Sequence, residues 1–536
     1  MKNQSLFALR AGVQPFPSPS PDAPLLQSSS AQDKSSRSGF FGLRLPFGAQ
    51  LLCALLLVLT SFGICSCHSN AYYEYKFPAD TYAGRPIPPS KLAERVMIGV
   101  SANGSSGSLQ IVDALRDIRN NVADTIPSWY ISGYSSGSPS AILNFPSETT
   151  GYVFSATDGS LNHINYSTEA AMGSIGSFQS ASGAIAVPPN AGHYYGADEA
   201  SGMLEIADNL TGSSYAINLP NVFKVMVNKG DTVALAMVRN SNVLYRVFKL
   251  NQSQYTSSAL AIQATGASDC EPATLPVYCV VQVPGTYDQP TNVYFSLDGT
   301  TAYVLNCGPE CGGTKASVTL LQQGPLNQNV IPSSPIQPTP QIANVAVPGG
   351  VTEALSDGTT LYLAGQQLQL DGYFEGFLST MNQAAAVTSP TTAITGKYPI
   401  SDGNHTKMLF ADNDTLWIGS QFCATGEHAH LNMNYNCLTM VSLSGTTISP
   451  QIVPNVTLGS STAVVPYPNQ NDNQYYYGSL TGICWVQNYN KVYTAYGGQV
   501  HVFSTVDGSE IDNSLVTVQG TALDVAYMDA LTDDAD

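Results

Sequence analysis

Residues 295–306 read FSLDGTTAYVLN, and imperfect copies of this phrase recur along almost the whole chain. Each copy predicts a short strand, a turn rich in Asp, Asn and Gly, and a second strand, because apolar residues flank residues that tolerate positive φ. The copies recur at intervals of roughly 40–75 residues, a spacing typical of arrays whose units cannot bury their apolar faces alone. The phrase therefore predicts a repeat protein made of β-hairpins and meanders.

The two ends of the repeat array complement each other. Seven units have an opening strand, and these strands begin near residues 141, 184, 224, 295, 351, 407 and 482. The first unit lacks its opening strand and starts directly at residues 96–102, whereas the last apolar segment, residues 522–528, is an opening strand with nothing after it. Joining the two ends makes one complete unit, which is what a closed ring requires.

We therefore predict an all-β fold, a β-propeller of eight four-stranded blades with one blade shared between the N- and C-terminal strands. Seven blades are the alternative, because long insertions in the fourth to seventh units blur their boundaries. The predicted organisation is an N-terminal extension at 1–44 that is disordered or a mis-assigned start, an anchor segment at 45–67, a linker at 68–94, the propeller at 95–530 and an acidic tail at 531–536.

The anchor segment contains the uncharged stretch LLCALLLVLTSFGIC at residues 51–65, a length typical of the apolar region of a signal peptide. The sequence Ile64-Cys65-Ser66-Cys67 that ends it resembles the bacterial lipobox. The resemblance implies cleavage before Cys67 and lipidation of Cys67, with Cys65 as the alternative. An uncleaved anchor and ordinary signal-peptide cleavage are further alternatives. Each case exports residues 68–536. With the predicted lipid anchor, the chain lies in a bacterial cell envelope, membrane-anchored and periplasmic or surface-exposed.

Composition narrows the range of partners. Only 11% of the residues are charged, about half the usual share, and the formal net charge is −18. Because residues 1–67 are net basic, the negative charge lies in the exported part. An acidic surface repels phosphate backbones and anionic lipid head groups, so nucleic acid is not expected as a partner. Membrane association is expected through the N-terminal lipid alone.

Cysteine spacing predicts local disulfides. Seven cysteines follow residue 67, and an oxidising compartment allows bridges between close neighbours. The predicted disulfides are Cys270–Cys279, Cys307–Cys311 and Cys423–Cys437. A metal site is the weaker alternative, because no pair has Cys-x-x-Cys spacing with a second pair nearby. Cys484, within GICWV, is predicted to be a buried thiol.

Residues with possible site chemistry are few. Glu427, His428 and His430 form the densest set of potential metal ligands, and in a strand the two histidines would point the same way. They lie between Cys423 and Cys437, so polar loop residues are the preferred interpretation and no metal is predicted. The run Asp412-Asn413-Asp414 lacks the rest of a calcium loop and predicts a β-turn.

Other motifs of catalysis or cofactor binding do not appear. There is no Gly-x-Ser-x-Gly elbow and no glycine-rich phosphate loop, so neither catalytic residues nor a cofactor is predicted. The run Tyr475, Tyr476 and Tyr477 could form part of a binding surface, because tyrosine is favoured at recognition sites. Packing of these rings against the propeller is the alternative interpretation.

The phrase at 295–306 resembles the YVTN-family β-propeller repeat, in which Ser-Pro-Asp-Gly is followed by a Tyr-Val-Thr-Asn strand. Tyr303-Val304-Leu305-Asn306 matches three of these four positions, whereas Leu297 replaces the usual proline. The resemblance covers roughly residues 95–530 and implies a propeller fold and a cell-envelope setting. Related propellers include lactonase-like enzymes, but no catalytic residue of that group can be assigned to a position in this chain.

Three functions are compatible with these features. The first is an envelope-anchored, non-enzymatic scaffold that displays its loops to a protein or glycan ligand. The second is a small-molecule hydrolase or isomerase, for which three or more carboxylates or histidines should meet inside the channel, whereas an apolar lining would argue against it. The third is a structural coat or spacer protein. The sequence identifies neither the ligand nor the oligomeric state.

Overall fold

The computed structural model describes residues 82, 85–119, 129–145, 149–178, 184–250, 257–272, 276–327, 339–445, 447–455, 476–511 and 516–531. The chain divides into two compact units, Met1–Pro78 and Ala79–Asp536, and the described residues all belong to the second. The anchor segment with Cys65 and Cys67, most of the linker, Tyr475 and most of the acidic tail lie outside the described residues. No helix in the described ranges is both long and apolar enough to cross a membrane.

The second unit is built almost entirely of short strands. Its N-terminal half contains β1 (Arg95–Ser101), β2 (Gly107–Asp113), β3 (Pro139–Asn144), β4 (Thr150–Ser155), β5 (Ser160–Asn165), β6 (Ala170–Ser177), β7 (Ala184–Ala186), β8 (His193–Asp198), β9 (Met203–Asp208), β10 (Ser213–Asn218), β11 (Val222–Val227), β12 (Ala234–Val238), β13 (Leu244–Leu250), β14 (Asp269–Glu271) and β15 (Val277–Gln282). Its C-terminal half contains β16 (Pro290–Phe295), β17 (Thr301–Asn306), β18 (Ser317–Gln322), β19 (Gln341–Ala346), β20 (Gly350–Ser356), β21 (Thr360–Leu368), β22 (Phe374–Asn382), β23 (Ile394–Pro399), β24 (Asn404–Ala411), β25 (Thr415–Gln421), β26 (Leu438–Ser442), β27 (Ser449–Val453), β28 (Leu480–Val486), β29 (Lys491–Tyr496), β30 (Gln499–Ser504), β31 (Glu510–Ile511) and β32 (Thr521–Tyr527).

Helices are confined to the insertions between these strands. They are α1 (Ser258–Thr265), α2 (Gln383–Thr388), α3 (Glu427–His430) and the short 3-10 turns Gly308–Cys311, Gly324–Leu326, Pro390–Thr392 and Cys423–Thr425. The sequence did not predict these helices, because each is too short to show a helical period.

The strands form eight antiparallel sheets arranged as the blades of a β-propeller, which confirms eight blades rather than seven. Blades two to eight begin with the inner strands β3, β7, β11, β16, β20, β24 and β28, and the remaining blade is the shared one. The fourth blade carries an additional outer strand, β14. In the shared blade, Trp129 and Ile131 complete the fourth strand by backbone hydrogen bonds of 2.9 Å to β2.

The shared blade closes the ring as the sequence predicted. β1 pairs antiparallel with β32, with Val96 opposite Tyr527 and Ile98 opposite Val525. Val96 and Ile98 are fully buried in an apolar cluster that also contains residues of β28 and β30 from the last blade. The first and last strands of the propeller therefore share one core.

Strand direction gives the ring two different faces. Because each blade is an up-and-down meander, the turns after its first and third strands lie on one face, which we call the turn face. The opposite face carries the connections after the second strand and those between blades, and we call it the loop face. The predicted turns lie on the turn face, where Gly299, Gly358 and Asn413 have φ of 69°, 89° and 64°. β1 starts and β32 ends on this turn face, so the chain joins the ring there.

A buried arginine joins the shared blade to its neighbours. Arg95 is only 3% exposed, and its guanidinium donates to Asp529 (2.6 Å), to Glu169 (2.9 Å) and to the carbonyl of Tyr166 (2.7 Å). Ser90 in turn donates its backbone N–H to Glu169 at 2.8 Å, which fastens the segment before β1. Burial lowers the pKa of Arg95, and the hydrogen bond to Glu169 opposes this change.

Replacing Arg95 should therefore weaken ring closure. Arg95→Met leaves the buried carboxylate of Glu169 without its counter-charge and leaves Asp529 with Arg85 alone. We expect the free energy of unfolding to fall by about 3–5 kcal/mol in urea titrations. The control is Arg239→Met, because Arg239 pairs with Glu199 but is 52% exposed. That change should cost less than about 1 kcal/mol. Equal losses in the two variants would contradict a closing role for Arg95.

Candidate functional site

Three consecutive blades carry long insertions on the loop face. They follow β17, β21 and β25 and comprise residues 307–316, 369–373 and 422–437. The first is closed by the disulfide Cys307–Cys311 and the third by Cys423–Cys437. The third predicted bridge, Cys270–Cys279, fastens β14 to β15, so all three predicted disulfides are confirmed. Cys484 is buried and belongs to none of these disulfides.

These insertions pack on the ring and on each other. A Cβ at Gly350, the first residue of β20, would lie 2.8 Å from both the carbonyl oxygen and the Sγ of Cys307. Only glycine allows the insertion of the fifth blade to sit directly on the sixth. On the other side, the ring of His430 in α3 stacks on Tyr373 of the sixth blade, with centroids 4.0 Å apart. The three insertions thus form one continuous surface.

The histidines of this surface lie on α3, not on a strand. His428 shares a hydrogen bond of 2.7 Å between Nδ1 and the Asp402 carboxylate, and its backbone N–H donates to the same carboxylate at 2.7 Å. His430 instead contacts Tyr373, so the two rings have different partners. Within the described ranges no group of three or more His, Cys, Asp or Glu side chains could hold a metal ion. In the structure, His428 is held by Asp402 and His430 stacks on Tyr373, whereas Glu427 is the first residue of α3.

The pKa values of two nearby histidines, His428 and His405, are shifted in opposite directions. Burial acts to lower the pKa of His428, but the hydrogen bond and charge of Asp402 outweigh it, and the pKa is raised. Burial lowers the pKa of His405 in β24 to about 4, and its Nε2 lies 2.8 Å from the carbonyl oxygen of Ser401. His428 is thus held by a carboxylate, and His405 is kept neutral in the interior.

Apolar side chains are concentrated at the outer edge of the insertions in blades six and seven. The exposed large apolar residues there are Leu368, Leu370, Tyr373, Phe422, Leu431 and Met433, which we call the apolar patch. Leu370 is fully exposed and Phe422 is 66% exposed. Phe422 also has a φ of 62°, a conformation that aromatic residues rarely adopt and that marks stored strain. These side chains make the two insertions the most exposed apolar part of the loop face between blades six and seven.

Acidic residues border the apolar patch. Asp371 lies between Leu370 and Tyr373, with an oxygen 3.8 Å from Nε2 of His430, and Glu427 begins α3. Glu375 is close enough to raise the pKa of His428. The patch therefore has an apolar centre and a negative border, the usual distribution of an interface.

Tyr476 and Tyr477 of the tyrosine run pack against this region and do not form its exposed part. Tyr477 is buried, and its hydroxyl donates to Glu510 at 2.5 Å. Tyr476 lies against Tyr435 of the disulfide-closed insertion, with ring centroids 5.1 Å apart. Tyr476 therefore contacts the seventh-blade insertion through its ring, and Tyr477 does so through its backbone N–H, which donates to Asn436.

The channel contains polar residues that the sequence did not reveal. In most blades the pairing of the inner strand shifts register at the same place, and the residue after the shift has a constant position around the channel. These residues are Ala141, Lys224, Asn292, Glu353, Lys407, Gly482 and, on β32, Asp524. We call the five with polar side chains the polar ring. The segments that begin at residues 224 and 407 therefore place lysines, not apolar side chains, at this level.

The members of the polar ring interact across the channel. Glu353 and Lys407 both affect the pKa of Lys224, although Lys224 belongs to the fourth blade and Lys407 to the seventh. These blades are not neighbours, so the side chains must approach through the channel. Lys407 lies 3.5 Å from Asp524 of the shared blade.

A short pattern in the sequence marks this ring. The residue that bulges before the ring position is threonine in four consecutive blades, namely Thr291, Thr352, Thr406 and Thr481. Thr291 donates to the carbonyl of Val351 and Thr352 to that of His405, both at 2.9 Å, so each joins its blade to the next. A Thr followed by Asn, Glu, Lys or Gly in successive opening strands is the signal that could have located the ring.

Comparison with protein-family models gives no match, and comparison with curated proteins gives none either. Solved structures that resemble this one include a hydrazine synthase from Kuenenia stuttgartiensis (12% identity, 73% of this chain and 100% of that chain, TM-score 0.41). Others are the dihydro-heme d1 dehydrogenase NirN (11%, 81% and 74%, 0.44) and a putative 6-phosphogluconolactonase from Bacteroides fragilis (10%, 81% and 97%, 0.40). At such identities and scores the resemblance carries no argument about activity.

The histidine environments can be tested by NMR. We expect the ring protons of His428 to titrate above the usual pKa of about 6.5, whereas those of His405 should not respond between pH 5 and 8. Asp402→Asn removes the main interaction that favours the imidazolium, so the pKa of His428 should fall, because burial is then opposed only by the charges of Glu375 and Glu427. An unchanged His428 titration in Asp402→Asn would show that the carboxylate does not hold this histidine.

Proposed function

We propose that this chain is an exported, non-enzymatic β-propeller that binds a protein partner through the apolar patch. One observation carries the proposal. Six large apolar side chains are exposed together on two neighbouring insertions, one of them closed by a disulfide. Rigid loops lose little conformational freedom on binding, so the apolar area they bury contributes more fully to affinity.

The chemistry of the patch favours a protein over a glycan. Four of its six members are leucine or methionine, which offer no hydrogen-bond partners for sugar hydroxyls. Burying those hydroxyls unpaired would be costly. The acidic border formed by Asp371, Glu375 and Glu427 adds a charge preference. A partner with an apolar centre and basic residues around it would fit.

The polar ring supports binding rather than the hydrolase or isomerase alternative. Among the described ring positions it offers two carboxylates, Glu353 and Asp524, and no histidine. Both carboxylates already accept hydrogen bonds from fixed donors, Asn292 for Glu353 and the backbone of Ile142 for Asp524. A general base needs a carboxylate that is free to take a proton from a substrate.

Anchoring through a lipid on Cys67 remains part of the proposal. The resemblance of Ile64-Cys65-Ser66-Cys67 to the lipobox supports it. Within the second unit, β1 starts on the turn face, whereas the apolar patch lies on the loop face.

The anchor has a direct test. Cys67→Ser should release the protein from the membrane fraction of a bacterial host, because a thioether-linked diacylglycerol can no longer form. Cys65→Ser is the matched control and should leave the protein in that fraction. Mass spectrometry of the mature N-terminus provides the second readout. A membrane-bound Cys67→Ser protein, or an unmodified Cys67 in the wild type, would contradict the lipid anchor.

The patch can be tested by charge substitution. Leu370→Asp with Met433→Asp should reduce recovery of cross-linked envelope proteins at least tenfold, because charged groups at an apolar interface remain desolvated. The matched control is Leu210→Asp, since Leu210 is 79% exposed in the turn after β9, on the turn face. Quantitative mass spectrometry of cross-linked complexes measures the difference.

Two outcomes would overturn the proposal. Equal recovery from the patch variant and from Leu210→Asp would show that the patch is not the interface. Self-association of the wild type that disappears in the patch variant, measured by sedimentation velocity, would assign the patch to a second copy and support the coat alternative.

A further inference from the structure

A cavity lies on the turn face beside the segment that precedes β1. It has a volume of about 310 Å³, at the small end of ligand pockets, which measure roughly 300–1,000 Å³. Its walls come from that segment, from the turns that follow β28 and β32, and from the second blade. Parts of the chain that are far apart in sequence therefore meet around one space.

One carboxylate of this cavity has no cationic partner. Glu94 accepts hydrogen bonds from the hydroxyl group of Tyr489 at 3.1 Å and from that of Tyr527. No Lys, Arg or His of the described ranges forms an ion pair with Glu94. Burial raises the pKa of Tyr527, and the hydrogen bond to Glu94 raises it further, so this hydroxyl keeps its proton and acts as the donor. The negative charge therefore stays on Glu94.

The other charged side chains at this cavity neutralise one another. Arg95 donates to Asp529 at 2.6 Å and to Glu169 at 2.9 Å, and Arg85 also pairs with Asp529. Two guanidinium groups thus balance two carboxylates, which leaves the charge of Glu94 in excess. The formal net charge of the whole chain is −18, which adds to the attraction for a cation.

Aromatic rings form much of the wall. Tyr82, Tyr166, Tyr489 and Tyr527 all line the cavity. Tyr166 and Tyr527 are buried, so their rings are held by the surrounding blades. An aromatic ring attracts a cation over its face and also packs against apolar groups. The cavity thus combines one excess negative charge with an aromatic wall.

We propose that the cavity binds a small organic ammonium ion, with its N–H groups directed to Glu94 and its apolar body against the tyrosine rings. A carboxylate can accept about four hydrogen bonds, and the hydroxyl groups of Tyr489 and Tyr527 use two of them. A calcium ion would need about six to eight oxygen ligands. No group of three or more His, Cys, Asp or Glu in the described part of the chain could hold a metal ion. The site lies on the opposite face from the apolar patch and does not depend on its partner.

Calorimetric titration of the purified full-length chain at constant ionic strength tests the proposal. Benzylammonium chloride is the probe, and benzyl alcohol, which has the same ring and no charge, is the neutral control. We expect the ammonium ion to bind and the alcohol to bind at least tenfold more weakly, because charge-assisted hydrogen bonds to a carboxylate are the stronger ones. No binding of benzylammonium, or equal binding of the two compounds, would overturn the proposal.

Substitution of Glu94 tests its role in binding. Glu94→Gln keeps an acceptor for the tyrosine hydroxyl groups and removes the charge, so benzylammonium should bind tenfold or more weakly than to the wild type. The matched control is Glu199→Gln, since Glu199 pairs with Arg239 in the exposed connection after β8. It removes the same charge from the chain and should leave binding unchanged. Equal losses in the two variants would assign the effect to overall charge and contradict the site.

Substitution of Tyr489 separates ligand binding from a structural role of Glu94. Tyr489→Phe keeps the ring and removes one donor that competes for Glu94, so benzylammonium should bind at least as tightly as to the wild type. Tyr489→Leu removes the ring and should weaken binding several-fold. Glu94→Asp retains the charge and should bind better than Glu94→Gln, which keeps the test valid if loss of the charge destabilises the segment before β1. Weaker binding by Tyr489→Phe than by Tyr489→Leu would contradict the proposed geometry.

Discussion

The antiparallel pairing of β1 with β32 is the interaction on which the rest of the molecule depends. The apolar faces of each blade pack only on its two neighbours, so an open ring would expose strand edges and the apolar faces of two blades. The pairing places Gly99 opposite Asp524, which also completes the polar ring. A slip of one residue would turn Asp524 out of the channel and bring an apolar side chain in. The register of this pairing therefore determines both ring closure and which side chains face the channel. The ion pairs of Arg95 with Glu169 and Asp529 stabilise it.

The architecture could be predicted because its signals are local. Alternating apolar residues and Asp-Gly turns define a hairpin within a dozen residues, and the half-units at residues 96 and 522 require closure. The disulfides were predictable for the same reason, since partners such as Cys307 and Cys311 are close in sequence. The bends of the chain at Gly299 and Gly358 follow from residues that tolerate positive φ. None of these features needed knowledge of contacts between distant residues.

The candidate sites depend on contacts that the sequence does not display. Lys224 and Lys407 open segments that otherwise resemble core strands, and only the bulge after Val222 and His405 brings them to the same level. Leu370 and Phe422 are indistinguishable by type from core residues, and their exposure arises because the insertions extend beyond the sheets. The segment around His428, predicted as polar loop residues, forms a short helix in which Asp402 accepts its backbone and side-chain hydrogen bonds. That carboxylate lies far away in sequence.

One short segment connects the two candidate sites mechanically. Asp402 holds α3 beneath the apolar patch, and its chain continues through buried His405 to Lys407 in the channel. Ser401 and Asp402 are fully buried, and the Ser401 backbone N–H donates to Thr439 at 2.9 Å. These contacts fix the segment between α3 and the channel at several points. Coupling between the patch and the ring therefore acts through stability, because any ligand that binds the folded ring alone also stabilises the loops that the ring supports.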